Sequence, residues 1–164
     1  IIPNAGANGA AWFVKELIKV STPAEELKRT GEVNTRDIAV IDGSKFNVNT
    51  DSYRGEYDSA SEIKLIDSKP AYLKYESVSS LNSLAVFSEI YYPKRWKATI
   101  DGKEVQILRC DYVLRALEIP AGKHVIEFKF EPKPYQMGNK ITMASSWVLL
   151  LVLIGSLGWS WKNS

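Results

Sequence analysis

The sequence predicts a mainly β protein: an antiparallel β-sandwich, of jelly-roll or immunoglobulin-like kind, with one short helix and then a C-terminal transmembrane helix. Three observations carry that prediction. Eight or nine short runs rich in β-branched and aromatic residues succeed one another, mostly across hairpin-type turns, as in two packed sheets. One segment, STPAEELKRTG (residues 21–31), has helical punctuation instead. Finally, ITMASSWVLLLVLIGSLGWSW (residues 141–161) carries no charged side chain, and as a helix it would be about 31 Å long, close to the apolar thickness of a bilayer.

The chain opens with the glycines and asparagines of PNAGANGA, an irregular lead-in. AWFVKELIKV follows, with β-branched and aromatic content that reads as one strand over residues 12–20. In the next segment Thr22 can cap a helix, Pro23 suits its first position, Glu25 can complete a capping box and Gly31 can stop it after about two turns. RDIAVIDG is a short strand centred on residues 38–41. From 45 to 61 the chain is polar and interrupted by Asn47, Asn49, Asp51, Gly55 and Asp58, so a loop or ragged edge is expected.

EIKLIDS and PAYLKYESVS read as two strands turning at Ser68-Lys69-Pro70, with Ala71, Leu73 and Tyr75 on one face and Tyr72, Lys74 and Glu76 on the other. LAVFSEIYY is nearly continuous in strand formers, which suits a central strand covered on both faces near its middle. In RWKATIDGKEVQIL, Trp96, Ala98 and Ile100 alternate with Lys97 and Thr99, and Asp101-Gly102 fits a type I′ turn into Val105 and Ile107. VLRALEIPAGKHVIEFKFEP suggests a second hairpin through Pro120 and Gly122, after which Ile126, Phe128 and Phe130 share a face. Pro132 and Pro134 close that strand.

These elements divide the chain into a β-domain (1–134), a juxtamembrane linker (135–140) and a membrane helix (141–161). Tyr135, Trp147, Trp159 and Trp161 lie where interfacial aromatics belong, and Lys140 and Lys162 close the ends. A buried core helix is the rival reading, since the strongest part of the run, 147–157, is shorter than a full span. Gly155 and Gly158 are not spaced as G-x-x-x-G, so no helix-pairing signal is present. The opening IIPNAG, with neither methionine nor a basic leader, reads as part of a longer polypeptide.

Composition excludes several function classes. Lys and Arg total 21 against 19 Asp and Glu, and the net charge of +2 is too small and too evenly spread for a nucleic-acid partner. Cys110 is the sole cysteine, so no disulfide framework exists and an inert buried thiol is expected. His124 is the sole histidine and follows a turn on the face of Ile126 and Phe128, which favours a structural role; with one cysteine it cannot build a zinc site. Asp51, Glu56 and Asp58 lack calcium-loop spacing. Ser88 and Glu89 sit in a strand without a G-x-S-x-G elbow, and Glu76, Glu89 and Asp101 carry no signature of a glycosidase pair. No glycine-rich nucleotide motif is present, no cofactor is expected and no catalytic residue is assigned.

The richest stretch chemically is EIYYPKRW. Tyr91, Tyr92 and Trp96 flank Pro93, Lys94 and Arg95, placing flat aromatic surfaces and cationic donors in one short connection able to grip a sugar ring or an anionic lipid head group. The alternative is packing, with Tyr92 and Trp96 as core or edge residues and the two cations solvating the turn. Arg109 and Arg115 flank Asp111 and Tyr112, and either one, if buried, needs a carboxylate or a backbone carbonyl as partner. Local alternation places Arg115 with Val113 and Leu117.

LAVFSEIYYPKRWKATIDGKEV, followed by YVLRALEIPAGKHVIEFKFEP and the closing apolar run, resembles the C-terminal region of the bacterial membrane protein YfhO family, in a Bacteroidetes-like form. NAGANGAAWFVKELIKV and SKPAYLKYESVSS resemble upstream parts of the same region. The resemblance implies a polytopic protein of the bacterial cytoplasmic membrane, similar to lipid-linked sugar transferases, with a β-domain on the extracytoplasmic side before its final helix. It implies as partners the preceding membrane helices, lipid around 141–161, and an envelope glycan or lipid-linked sugar. The acidic residues serving transfer would lie in the N-terminal part, so no catalytic residue is carried onto these positions. Charge points the other way on topology, because Lys129, Lys133 and Lys140 precede the span and only Lys162 follows it. Two further expectations stand beside the transferase reading: a carbohydrate-binding or envelope-anchoring module without transferase activity, and a structural assembly domain.

Overall fold

The computed structural model describes residues 6–48, 60–92, 94–131 and 133–162, with side chains in the last helix described at 141–156, 159 and 161. The chain divides into two units, residues 1–130 and 131–164. In chain order the first contains β1 (Ala11–Val14), β2 (Glu16–Val20), α1 (Pro23–Thr30), β3 (Ile38–Asp42), β4 (Glu62–Lys69), β5 (Tyr72–Ser79), β6 (Ser83–Ile90), β7 (Trp96–Ile100), β8 (Lys103–Val105), β9 (Leu108–Cys110), β10 (Leu114–Ile119) and β11 (Gly122–Phe130).

Strand β6 organises this unit. Leu84, Ala85, Val86 and Phe87 have no exposed surface at all, and because successive side chains point to opposite faces, both faces of β6 must be covered. Ala85 and Phe87 share an apolar cluster with Leu73, Tyr75, Ala98, Ile100, Ile126 and Phe128. Those partners come from an antiparallel sheet of order β4-β5-β11-β7-β8, whereas β6 lies in an antiparallel sheet of order β1-β6-β10-β9. Leu84 and Val86 join a second cluster with Leu17, Ala39, Ile41, Phe46 and Val48. The β6 sheet is thus the middle of three layers.

The mainly β, antiparallel prediction holds for the two large sheets, and the third layer corrects it. Strands β2 and β3 pair in parallel across α1, as a parallel pair requires a crossover connection. The single strand expected over 12–20 breaks at Lys15, where the N–H groups of Lys15 and Glu16 both donate to the Asp37 carbonyl, at 2.7 and 3.1 Å. The chain thereby leaves β6 and joins β3. Helix α1 forms as its sequence directs: Thr22 Oγ1 accepts from the Glu25 N–H at 3.2 Å, the Glu25 carboxylate reaches back to the Ser21 N–H at 3.2 Å, and Pro23 opens the helix.

Eleven strands occur among the described residues, against the eight or nine expected. The Asp101-Gly102 hairpin is present, with φ of +50° and +81° as a type I′ turn requires. Strands β4 and β5 also form a hairpin, turning at Pro70-Ala71. The second predicted hairpin is overturned: β10 pairs with β6 and β9, while β11 pairs with β5 and β7, so Pro120 to Gly122 arch from one sheet to the other. Alternation is identical in the two cases; what differs is which strand accepts the hydrogen bonds. Among the residues expected to form a loop at 45–61, positions 49–59 lie outside the described residues, and with them Asp51, Gly55, Glu56 and Asp58.

The second unit carries α2 (Lys133–Lys162), whose helical backbone includes the residues 135–140 read as a linker. Its described side chains from 141 to 156 are all exposed, Trp147 at 62% and Leu151 at 65%. Among the described residues no helix is long and apolar enough to cross a membrane; the unbroken run of described side chains, 141–156, amounts to about 24 Å of helix.

The aromatic centre of the sandwich sets its stability. Phe87 meets Tyr75 and Phe128 edge-on, with ring centroids 4.9 and 4.8 Å apart. Phe87→Ala is expected to destabilise the domain by about 3–5 kcal/mol, read from the shift in urea midpoint at unchanged slope.

Candidate functional site

The connection from β6 to β7 begins at an irregularity. Arg115 is the partner of Phe87 but Leu114 is the partner of Ile90, so Ser88 and Glu89 bulge out of the ladder. A bulge bends a strand and re-aims its side chains. Here it frees Glu89 to line a groove of about 380 Å³ with Ser68, Lys69, Pro70, Leu73 and Trp96. Just beyond, the Tyr91 N–H donates to the Val113 carbonyl at 2.7 Å, and the Tyr91 ring packs edge-on against Phe46 with centroids 5.9 Å apart.

Trp96, the first residue of β7, is half-buried and held from within. Its ring lies against Phe130, centroids 5.5 Å apart, and the Arg115 guanidinium sits 4.2 Å from its centroid. Arg115 is 3% exposed. Its Nε donates to the Ile90 carbonyl at 2.9 Å, which names the partner that the sequence left open, while Nη1 has no hydrogen-bond partner. Burial pushes the Arg115 pKa down, and the Glu89 carboxylate opposes that shift. The Trp96 and Phe128 faces supply cation–π attraction in place of the missing hydrogen bond.

Tyr91 and Trp96 converge on a second groove, of about 270 Å³, which the β7–β8 hairpin completes with Lys97, Glu104, Gln106 and Ile107. Lys97 and Glu104 are ion-paired across the hairpin at 3.2 Å. Burial pushes the Tyr91 phenol upward in pKa, so it stays protonated and able to donate. Tyr92, Lys94 and Arg95 do not line this groove; they are exposed, and Arg95 has a left-handed φ of +87°. The structure therefore divides the five residues singled out from EIYYPKRW into an inward pair and an outward trio. Of the two residues that the packing alternative named, Trp96 is packed on one side whereas Tyr92 is 48% exposed; the tyrosine that packs inward is Tyr91.

A buried charge cluster was not legible in the sequence. Glu26 and Asp42 have no exposed surface and Asp111 is 5% exposed. Glu26 forms an ion pair with Arg109 and accepts the Tyr112 N–H at 3.1 Å; Asp42 lies 3.8 Å from the same guanidinium and accepts the Ser44 hydroxyl at 2.6 Å. Asp111 accepts the Val40 N–H at 2.9 Å and donates its own N–H to the Val40 carbonyl at 2.8 Å. Asp111 and Tyr112 both have left-handed φ, +48° and +68°, in the turn from β9 to β10. Such strain persists where surrounding bonds over-determine it, and the bonds to Glu26 and Val40 do so here. Among the described residues no group of His, Cys, Asp and Glu is arranged to hold a metal.

The lone Cys110 is fully buried and burial pushes its thiol well up, consistent with an inert role. His124 Nδ1 lies 2.6 Å from Asp101 Oδ2, whose other oxygen accepts the Val125 N–H at 2.9 Å. That pair ties the Asp101-Gly102 turn to β11, a structural role.

A model of the bacterial membrane protein YfhO family matches residues 42–142. The chain belongs to the YfhO family. The match takes in β4 through β11, and so both grooves and the whole aromatic connection of this YfhO domain. No curated protein and no solved structure matches the chain.

Burial raises the Asp111 pKa from 3.8 to about 6, with the Val40 N–H opposing and Glu26 adding to the shift. A folded-state pKa above the unfolded value means that the contribution to stability is complete below about pH 4 and is lost as pH rises through about 6. Asp111→Asn keeps the acceptor for Val40 and suits a left-handed turn. It is expected to exceed the parent by about 2–3 kcal/mol at pH 8 and to match it near pH 4, measured by urea denaturation of the detergent-solubilised chain at both pH values.

Proposed function

We propose that this YfhO chain is a non-catalytic, extracytoplasmic β-domain of a multi-span membrane protein of glycosyltransferase type, and that its Tyr91–Trp96 groove contacts the glycan acceptor or lipid-linked sugar beside a membrane-embedded active site. The observation that carries this reading is the convergence of two aromatic side chains on a groove whose rim bears Glu104, Gln106 and Lys97. Sugar rings present an apolar face and a hydroxyl edge, which an aromatic wall and a few polar groups complement. At about 270 Å³ the groove is just under the usual range for small-molecule clefts, about 300–1,000 Å³, and suits one ring-sized group. The larger groove beside Glu89 and Lys69 shares Trp96 as a wall, so a second ring can adjoin the first.

Membrane attachment belongs to the same proposal. The family supports it. The uncharged run 141–161 lies wholly within α2, and its apolar residues are not confined to one face of the helix, the pattern of a segment surrounded by hydrocarbon. Lys140 and Lys162 then sit at the two interfaces. Placement of the β-domain on the outer side follows the family resemblance, with earlier helices setting orientation against the local lysine bias.

Glu104 and Gln106 are exposed, so replacing both by alanine leaves the core untouched. In the full-length protein, Glu104→Ala with Gln106→Ala is expected to raise the acceptor KM about tenfold with kcat little changed, the signature of lost ground-state binding. Identical transfer kinetics across acceptor concentrations would overturn the assignment of this groove, and glycan binding in a protein with no transfer activity would leave the binding-module reading in its place.

A further inference from the structure

The outward residues of EIYYPKRW share one end of the sandwich with two other turns. Phe130 closes β11 and is the register partner of Trp96, so the chain leaves the domain at the end where β7 begins. Strand β6 ends there too, since Ile90 pairs with Leu114 and the Tyr91 N–H meets the Val113 carbonyl. The Pro70-Ala71 turn joins them through the bond from the Phe130 N–H to the Ala71 carbonyl at 2.9 Å.

That end is apolar and cationic at once. Ile90 is 71% exposed, Tyr92 48%, Val113 47% and Tyr112 38%. Beside them Lys94 and Arg95 are exposed and make no ion pair among the described residues, unlike Lys69 and Lys129, which are paired with Asp67 and Glu127. The left-handed backbone at Arg95 is costly for a non-glycine residue, and it occurs where the chain turns these cations outward. Large aliphatic and aromatic side chains exposed together with unpaired cations are what a protein presents to a lipid interface.

We propose that this end of the domain docks on an anionic lipid surface, with Ile90, Tyr92, Tyr112 and Val113 entering the head-group region and Lys94 and Arg95 pairing with lipid phosphates. The proposal rests on the reading that 141–161 crosses lipid. Ten residues separate Phe130 from Ile141, at most about 36 Å of chain and less where it is helical. A bilayer holding the helix is therefore within reach of this end. Docking here would hold the Tyr91–Trp96 groove close to the membrane surface, where a lipid-linked sugar presents its head group.

The test uses the full chain in lipid vesicles. Cys110 is buried with a raised thiol pKa, so a cysteine introduced at an exposed position is labelled selectively with the environment-sensitive dye NBD. Ile90→Cys and Val113→Cys report on the proposed surface, and Lys123→Cys, exposed at the opposite end where β11 begins, is the control. Leu150→Cys reports on α2. In vesicles of phosphatidylcholine with phosphatidylglycerol, head-group spin labels should quench positions 90 and 113 several-fold more than 123. The effect should weaken in pure phosphatidylcholine. Lys94→Ser with Arg95→Asn, the latter chosen because asparagine tolerates the left-handed backbone, should reduce the docked fraction relative to the undocked by about fivefold per cation removed. If mid-bilayer spin labels quench position 150 while positions 90 and 113 behave like 123, docking is wrong and the membrane helix stands. An unquenched position 150 overturns the membrane helix itself. Equal quenching in neutral and anionic vesicles, or no response to the double variant, overturns the anionic-lipid assignment.

Discussion

Complete burial of four consecutive residues, Leu84 to Phe87, is the constraint on which the rest of the domain depends. A strand can bury one face by lying on a single layer, but hiding both needs a layer on each side. Each of these larger side chains contributes about 1.5–3 kcal/mol when removed from water, so exposing either face would cost a substantial part of a domain's net stability. The five-stranded sheet covers one face through Tyr75, Ile126 and Phe128, and the β2-α1-β3 unit covers the other through Leu17, Ala39 and Ile41. The break at Lys15 is the local consequence, since it lets one run of strand formers serve both the middle sheet and its cover.

Where β6 leaves the core, a break in its alternation shapes the candidate surface. The bulge at Ser88 and Glu89 ends regular pairing, Arg115 reaches across to the Ile90 carbonyl, and its guanidinium props the Trp96 ring from below. Tyr91 then turns inward to Phe46 while Tyr92 turns out to solvent. One short connection therefore presents two chemistries: a groove walled by Tyr91 and Trp96, and an exposed tip bearing Tyr92, Lys94 and Arg95. Both lie at the end of the sandwich where the chain departs toward the uncharged run 141–161, and that shared placement is what the proposed ligand and lipid contacts are argued from.

The ion cluster under α1 plays a different part. Burying Glu26, Asp42 and Asp111 is unfavourable for each taken alone, and the raised pKa values of Glu26 and Asp111 express that. What they contribute is position. Glu26 joins the helix to the Tyr112 N–H and to Arg109, and Asp111 joins the β9–β10 turn to β3. Apolar packing alone would leave the third layer free to slide over the β6 sheet, whereas these directional bonds define one register and hold a left-handed turn that carries the exposed Tyr112.

By itself the sequence determined the features that are local. It placed the capped helix α1, the Asp101-Gly102 turn, the alternation of Leu73 and Tyr75 against Tyr72 and Lys74, the burial of β6, the family, and the segment from which the candidate site is built. Apart from the family, which rests on a resemblance spread over most of the chain, these follow from steric and hydrophobic patterns within about ten residues. Only the tertiary structure decided that Glu26, beside the capping Glu25, is fully buried, that Pro120 to Gly122 bridge two sheets, that β2 lies parallel to β3, and that Tyr91 and Tyr92 part company. Those outcomes depend on which distant strand completes a hydrogen-bond ladder and on which side a second layer arrives, and a periodic pattern in one stretch of chain looks the same whichever partner it meets.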